Sequence, residues 1–243
     1  MQKEWFSSWF DTPYYHTLYK NRDYEEASLF IDNVSNFLKI KQSTVCWDLC
    51  CGKGRHSIYL NKKGFRVIGT DLSEQSICEA NDSANETLEF YQHDMRKLFR
   101  TNYFEVVFNL FTSFGYFEKR EDDLHVFDSV QKALKSNGLF VFDYLNSEYV
   151  KSRMVEWDSK TIDGITFNIS KKIENNTIIK SIDFTDKGEL FHFEERVKLF
   201  DKTYFEDLAK ECNLTILNTF GNYQLQEFDV NISPRLILVL QKK

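Results

Sequence analysis

The chain has 243 residues, 42% of them hydrophobic, enough apolar material for one large core and too much for global disorder. The net charge of −6, with no run of five like charges, disfavours a nucleic-acid or anionic-membrane partner. Five cysteines without C-x-x-C spacing read as reduced thiols of a cytoplasmic protein, not as zinc ligands. No apolar run reaches the roughly 20 residues of a membrane span, and the amino terminus shows no signal-peptide h-region.

The first 22 residues are rich in aromatics. Asp11 or Thr12 can cap a short helix with Pro13 in its first turn. Tyr15 and Tyr19, four apart, then share a face, with Arg22 close to it. One reading staples Trp5, Phe6, Trp9, Phe10 and Tyr14 onto the sheet. The other makes the segment a lid, whose tyrosine and arginine meet a ligand carboxylate. From Asp23 to Lys39, apolar residues at Ala27, Phe30, Ile31, Val34, Phe37 and Leu38 follow helical spacing.

Thr44 to Leu49 reads as a buried strand that runs into a glycine-bearing turn, with a helix starting near Arg55. Gly52 and Gly54 can take positive φ and let a ligand approach the backbone, beneath the unpaired amides of the helix start. The run Gly52-Lys53-Gly54-Arg55-His56-Ser57 falls one residue short of the dinucleotide fingerprint G-x-G-x-x-G. Asp48, in the mouth of the turn, would repel a pyrophosphate. It would attract S-adenosylmethionine (SAM), which carries an ammonium and a sulfonium. Phe65 to Thr70 predicts a second strand ending at Asp71, placed to hold a ribose diol. Leu88 to His93 predicts a third, followed by Asp94 for an adenine amine and Met95 for the ring face.

These residues resemble the class I SAM-dependent methyltransferases. Asp48-Leu49-Cys50-Cys51-Gly52-Lys53-Gly54 is similar to the family's D-x-G-x-G-x-G loop, Val67 to Ser73 (with Leu72) to its second motif, and His93-Asp94-Met95 to its third. Cys50 stands where the family usually has its first glycine, which puts a left-handed backbone there in question. The amino-terminal P-Y-Y-H-x-L-Y run is similar to a Y-D-x-L-Y segment of small-molecule methyltransferases, with His16 in place of the aspartate. The resemblance implies SAM as cofactor and a Rossmann-like doubly wound sheet of seven strands.

Further on, Arg55 to Lys63 predicts a helix closed by Gly64, and Ser73 caps the next. Phe104 to Phe111 is a fourth strand, Asp122 to Lys135 a helix closed by Asn137-Gly138, and Leu139 to Leu145 a fifth strand. After the fourth strand, backbone carbonyls from Asn109 onward can receive the ammonium, while Phe114 or Tyr116 faces the sulfonium. The [D/N/S]-P-P-[aromatic] motif of amino-methylating nucleic-acid enzymes is absent here. After the fifth strand, Asn146 either orients an acceptor or caps a helix. From Lys160 to Phe200 the period changes to two: three strands (162–173, 177–185, 189–199) form an antiparallel meander over the site mouth. In its last strand His192, Glu194 and Arg196 share one face, and Phe191, Phe193 and Glu195 the other. Asp201 to Asn213 predicts a helix, and Leu214 to Gly221 and Arg235 to Gln241 a closing hairpin pair.

The expected fold is therefore α/β: an amino-terminal helical lid and SAM-binding core over 1–150, an inserted β cover over 151–200, and core-completing elements over 201–243. The expected activity is methyl transfer from SAM to a small-molecule acceptor, with no metal. His16, Tyr116, Asn146 and His192 are the catalytic candidates, and the histidines could act as general base only if the acceptor needs one. Arg235, at a strand start, is expected to form an ion pair within the cover, the alternative being that it meets an acceptor carboxylate. The alternatives are an NAD(P)-dependent oxidoreductase, a SAM-binding non-catalytic regulator, and an aminopropyltransferase.

Overall fold

The computed structural model describes residues 5–20 and 24–243. Two short helices, α1 (Trp5–Trp9) and α2 (Pro13–Leu18), precede α3 (Tyr24–Phe37). Thr12 caps α2 by accepting the Tyr15 amide, with Pro13 in the first turn, where its missing N–H costs nothing. The buried stripe of α3 is Ala27, Phe30, Ile31 and Val34; Phe37 stays half exposed against Phe220.

The α/β core follows as β1 (Val45–Leu49), α4 (Arg55–Lys62), β2 (Arg66–Asp71), α5 (Glu74–Asn81), β3 (Leu88–Gln92), β4 (Phe104–Asn109), α6 (Arg120–Ala133), β5 (Leu134–Leu145) and α7 (Ser147–Arg153). The chain then makes β6 (Trp157–Ile162), β7 (Ile165–Glu174), β8 (Thr177–Asp186) and β9 (Glu189–Lys198), followed by α8 (Lys202–Glu211), β10 (Leu214–Phe220) and β11 (Arg235–Lys242).

The seven-stranded sheet has the order β10-β11-β5-β4-β1-β2-β3. Strands β1 to β5 run parallel, while β11 is antiparallel to both β5 and β10. Alternate residues of each strand feed opposite faces. Phe140, Phe142 and Tyr144 enter the cluster with Trp47, Phe127 and Phe205, while Val141 joins Phe30, Leu60, Val67 and Phe108. Burial on both faces explains why these strands read as nearly continuous apolar runs. The turns that follow β1 to β5 then all fall at one edge of the sheet, beyond the strands' carboxyl ends.

Three boundaries differ from the sequence reading. The fourth strand stops at Asn109, because Phe111 and Thr112 both take positive φ. The fifth starts at Leu134, with an irregularity where it pairs with β4, so Asn137 and Gly138 lie inside it instead of closing α6. The meander has four strands, since β6 adds an edge whose residues are almost all exposed and carry no period-two signal.

The second sheet, β6-β7-β8-β9, packs Phe167, Ile169, Ile182 and Phe184 against Trp9 and Leu18. The amino-terminal aromatics thus divide between two bodies. Phe6 joins the core of the large sheet, and Trp9 and Tyr14 pack on the inserted one. The segment bridges the two sheets instead of being stapled to the large one alone. At the far end of β9, the Lys198 amide donates to the Gly115 carbonyl at 2.9 Å and the Tyr144 hydroxyl donates to the Lys198 carbonyl, which ties the insertion to the loop after β4.

Candidate active site

At the carboxyl ends of β1, β2 and β4 lies a cavity of about 530 Å³, walled by α1, α2, the turn after β1 and the loop after β4. Asp48, Asp71 and Asp94 all line it. Asp48 is fully buried and accepts the Ser57 hydroxyl at 2.6 Å, so the first turn of α4 holds the acid in place. Burial pushes its carboxyl up to about 6, against the pull of that hydrogen bond. Asp71 accepts the Gly52 amide at 2.8 Å on one oxygen and the Ser73 amide at 2.9 Å on the other. The carboxylate, with about four acceptor sites, keeps capacity for a ligand donor. Burial raises this carboxyl too, and the Ser73, Gly52 and Leu72 amides oppose it. Asp94 is the exception. Burial acts to raise it, but Arg96, paired at 2.8 Å, outweighs burial and holds it below the ordinary value.

The glycine turn is built for close approach. Gly52 has φ +55°, and a Cβ added there would meet nothing within 4 Å, so its face opens on the cavity. Gly54 has φ +80° and does not line the cavity; a Cβ would come within 2.7 Å of the Phe90 ring. Its role is to let the turn lie on β3. Cys50 does take the left-handed conformation, φ +64°, despite its side chain, and its Sγ lies 3.4 Å from Met95 Sδ at the cavity wall. The structure thereby answers the question that the missing glycine raised.

Tyr15, His16, Tyr19, Cys50, Gly52, Leu72, Met95 and Tyr116 also line the cavity. Arg22 lies outside the described residues. The His16 Nε2 is buried and finds no hydrogen-bond partner among the described residues, and burial, then Lys53, holds the imidazole below its ordinary value. A neutral ring with an unused nitrogen can serve a ligand as donor or acceptor.

Five expectations are corrected. Asn109 lies beneath the cavity, its Nδ2 donating to the Leu49 carbonyl at 3.1 Å. Phe114 is core, edge-on to Phe127, Phe142 and Phe205; Tyr116 and Phe117 face the cavity instead. Asn146 caps α7 by accepting the Glu148 amide, and its own amide donates to the Val230 and Ser233 carbonyls. His192 is 58% exposed on the outer face of the insertion, paired with Asp183 at 2.7 Å. Period two already puts it on the solvated face with Glu194 and Arg196, which pair with each other there. Arg235 pairs with Asp143 at the end of β5, not within the cover.

The structure also adds residues. Glu195, on the apolar face of β9, lines the cavity and accepts the Trp9 indole at 2.8 Å and the Tyr19 hydroxyl at 2.7 Å, with Lys180 at 3.3 Å. A charge in register with Phe191 and Phe193 was the available signal. His56 is buried at the cavity wall, its ring 5.1 Å from that of Phe111. Its place in the first turn after the glycine loop could have pointed to it. Among the described residues no cluster of three or more potential metal ligands occurs, and no helix is long and apolar enough to cross a membrane.

Comparison with known proteins agrees with this geometry. Residues 47–138 match the model of a methyltransferase domain. The Bacillus subtilis (strain 168) protein YqeM, designated a methyltransferase, is 29% identical over 208 residues, covering 80% of this chain and 83% of its own. A SAM-dependent methyltransferase of Clostridium acetobutylicum ATCC 824 superposes with a TM-score of 0.79 at 20% identity, over 94% of this chain and 96% of its own. SAM-bound CalS10, an amino pentose methyltransferase from Micromonospora echinaspora, does so with a TM-score of 0.70 at 15% identity, over 96% and 98%.

The fold and the acid-lined turn are similar to those of class I SAM-dependent methyltransferases, and the methyltransferase-domain match over residues 47–138 agrees. The methyltransferase-domain match and the similar chains identify an enzyme with SAM as its cofactor, and the nicotinamide and non-catalytic alternatives are set aside. The residues present fit the cofactor: an open face over Gly52, remaining acceptor capacity on Asp71, and a buried carboxylate at Asp48 beside the turn.

Proposed function

We propose that the chain methylates a small-molecule acceptor inside this cavity. The observation that carries the reading is the lining of aromatic rings. Trp5, Phe6, Phe10, Tyr15, Tyr116 and Phe117 wall the space, and the Tyr116 ring sits 5.5 Å from both Trp5 and Phe10. A chamber of about 530 Å³, partly open to solvent, is the size of ordinary metabolite sites. The net charge of −6 agrees with that, and the location that goes with this reading is the cytoplasm. Two of the similar structures, CalS10 and the sugar N-methyltransferase KedS8 of Streptoalloteichus sp ATCC 53650, are described as acting on an amino pentose and a sugar.

Within that reading Asp48 receives the cofactor's ammonium, Asp71 its ribose hydroxyls and Asp94 its adenine amine. Met95 and Leu72 lie against the adenine ring, Gly52 admits the backbone approach, and Tyr15 and Tyr19 face the carboxylate end. Bound SAM supplies a methyl group on a sulfonium, ready for displacement by an acceptor lone pair. The chain's own part is to hold the two reactants together and keep water out. His16, neutral at pH 7, and Tyr116 are the catalytic candidates that remain at the cavity.

The test uses SAM carrying an isotopically labelled methyl group, incubated with the enzyme and a whole metabolite extract. Label is expected in a dialysable product, with stoichiometric release of S-adenosylhomocysteine. Label found only in precipitable protein or RNA would overturn the small-molecule reading.

A further inference from the structure

The loop after β4 carries two adjacent residues in a conformation that side chains disfavour. Phe111 has φ +59° and Thr112 φ +60°, and neither is glycine. For an L-residue each such angle lowers the population of the native backbone by about five- to thirtyfold. Both residues line the cofactor cavity, with Leu110 and Ser113 on either side. Something must hold them there, and the strain sits where the site is.

The holding groups come from the neighbouring strands. Asp143, near the end of β5 and wholly buried, accepts the Phe111 amide at 2.8 Å on its side chain and the Thr112 amide at 3.1 Å on its backbone carbonyl. Arg235, the first residue of β11 and only 19% exposed, donates from Nε to Asp143 at 2.8 Å and from Nη2 to the Thr112 hydroxyl at 2.8 Å. The Tyr223 hydroxyl donates to the same Asp143 oxygen as the Phe111 amide, at 3.0 Å, and its ring stacks on Phe111 at 5.4 Å. On the cavity side, the Tyr116 hydroxyl donates to the Thr112 carbonyl at 2.6 Å. The guanidinium therefore reaches both the carboxylate that holds one strained amide and the side chain of the other strained residue. Its planar fork does this with two nitrogens, which an ammonium cannot reproduce.

We propose that Arg235 is a positioning residue: with Asp143 it clamps Phe111 and Thr112 in a left-handed backbone, and so fixes the cavity wall against which the cofactor is held. The proposal rests on the reading of this cavity as the SAM site. Arg235 is not among the residues lining the cavity, so its effect passes through the loop.

The experiment compares the wild type with Arg235→Lys and with the double variant Arg235→Lys/Thr112→Gly. Glycine takes positive φ without the side-chain penalty, so it removes the need for the clamp at that position. Two readouts are taken on each folded protein: calorimetric SAM affinity, and hydrogen exchange of the Phe111 and Thr112 amides. Arg235→Lys is expected to weaken SAM about tenfold and to speed exchange of those two amides, leaving β1 to β3 protected. The added glycine is expected to restore SAM affinity to within about threefold. Wild-type affinity in Arg235→Lys, or no restoration by glycine, would overturn the proposal. If Arg235→Lys does not fold, the same comparison is made with Thr112→Val and Thr112→Gly. The valine variant, which lacks the hydroxyl and keeps the side-chain penalty, is expected to bind SAM at least about fivefold more weakly than the glycine variant, and equal affinities would overturn the proposal. Exchange reports the clamp without SAM, so accelerated exchange in a protein whose wild type binds no SAM would reject the cofactor reading and leave the clamp standing.

Discussion

Asp48 should be better for the ligand than for the fold. Its carboxyl is pushed up to about 6, from 3.8, chiefly by burial. A carboxyl raised in the folded state contributes stability that is fully present below its unfolded value, near 3.8, and is lost as the pH rises through about 6. At about pH 7.5 the empty protein therefore holds a charge that costs roughly 2–3 kcal/mol, since each tenfold change in proton affinity between the folded and unfolded chain is worth about 1.4 kcal/mol. Asp48→Asn keeps the size and the acceptor for the Ser57 hydroxyl but removes the charge. The ligand-free variant is expected to melt roughly 4–10 °C above the wild type at about pH 7.5, with the gap closing toward pH 4. SAM affinity should move the other way, falling about 10- to 100-fold, the scale of one charge-assisted hydrogen bond. Thermal unfolding by circular dichroism at both pH values, with calorimetric titration of SAM, reads both effects. A variant no more stable than the wild type at about pH 7.5, or one that binds SAM equally well, would refute the reasoning.

Other substitutions probe the scaffold around that carboxylate. Cys50→Gly should preserve SAM binding and leave stability equal or up to about 1 kcal/mol higher, whereas Cys50→Val, branched at a φ of +64°, should lose about 2 kcal/mol in denaturant titration. Gly54→Ala should cost at least about 2 kcal/mol, because the new methyl meets the Phe90 ring at 2.7 Å, and Phe90→Leu in the same chain should recover part of the loss. Glu195→Ala removes the acceptor shared by the Trp9 indole and the Tyr19 hydroxyl. It should speed hydrogen exchange across residues 5–20 by about tenfold while the seven-stranded sheet stays protected.

The parallel sheet was legible because burial on both faces writes its strands as apolar runs, and the helices between them keep the 3.6 period. The three acids were legible because each lies at or just past the carboxyl end of a strand, where a carboxylate is out of keeping with the apolar run before it. What periodicity cannot see is a backbone that breaks its own rules. Phe111 extends the apolar run of β4 in sequence, yet it and Thr112 leave the strand in space, held by an acid and an arginine 32 and 123 residues further on. The same limit applies to Asn146 and Phe114, whose types suit a site and whose positions suit a cap and a core. Glu195 is the reverse case, a charge on an apolar face that the alternation exposed and that only the partner segment, 176 and 186 residues away, explains.

A crystal structure of the enzyme soaked or grown with SAM tests the central assignment most directly. It should show the ligand in the cavity over Gly52, its amino group within hydrogen-bond reach of Asp48, its ribose on Asp71 and its adenine between Asp94 and Met95. Density for the ligand elsewhere on the molecule, or seated in the cavity with its cationic end turned away from Asp48, would contradict it.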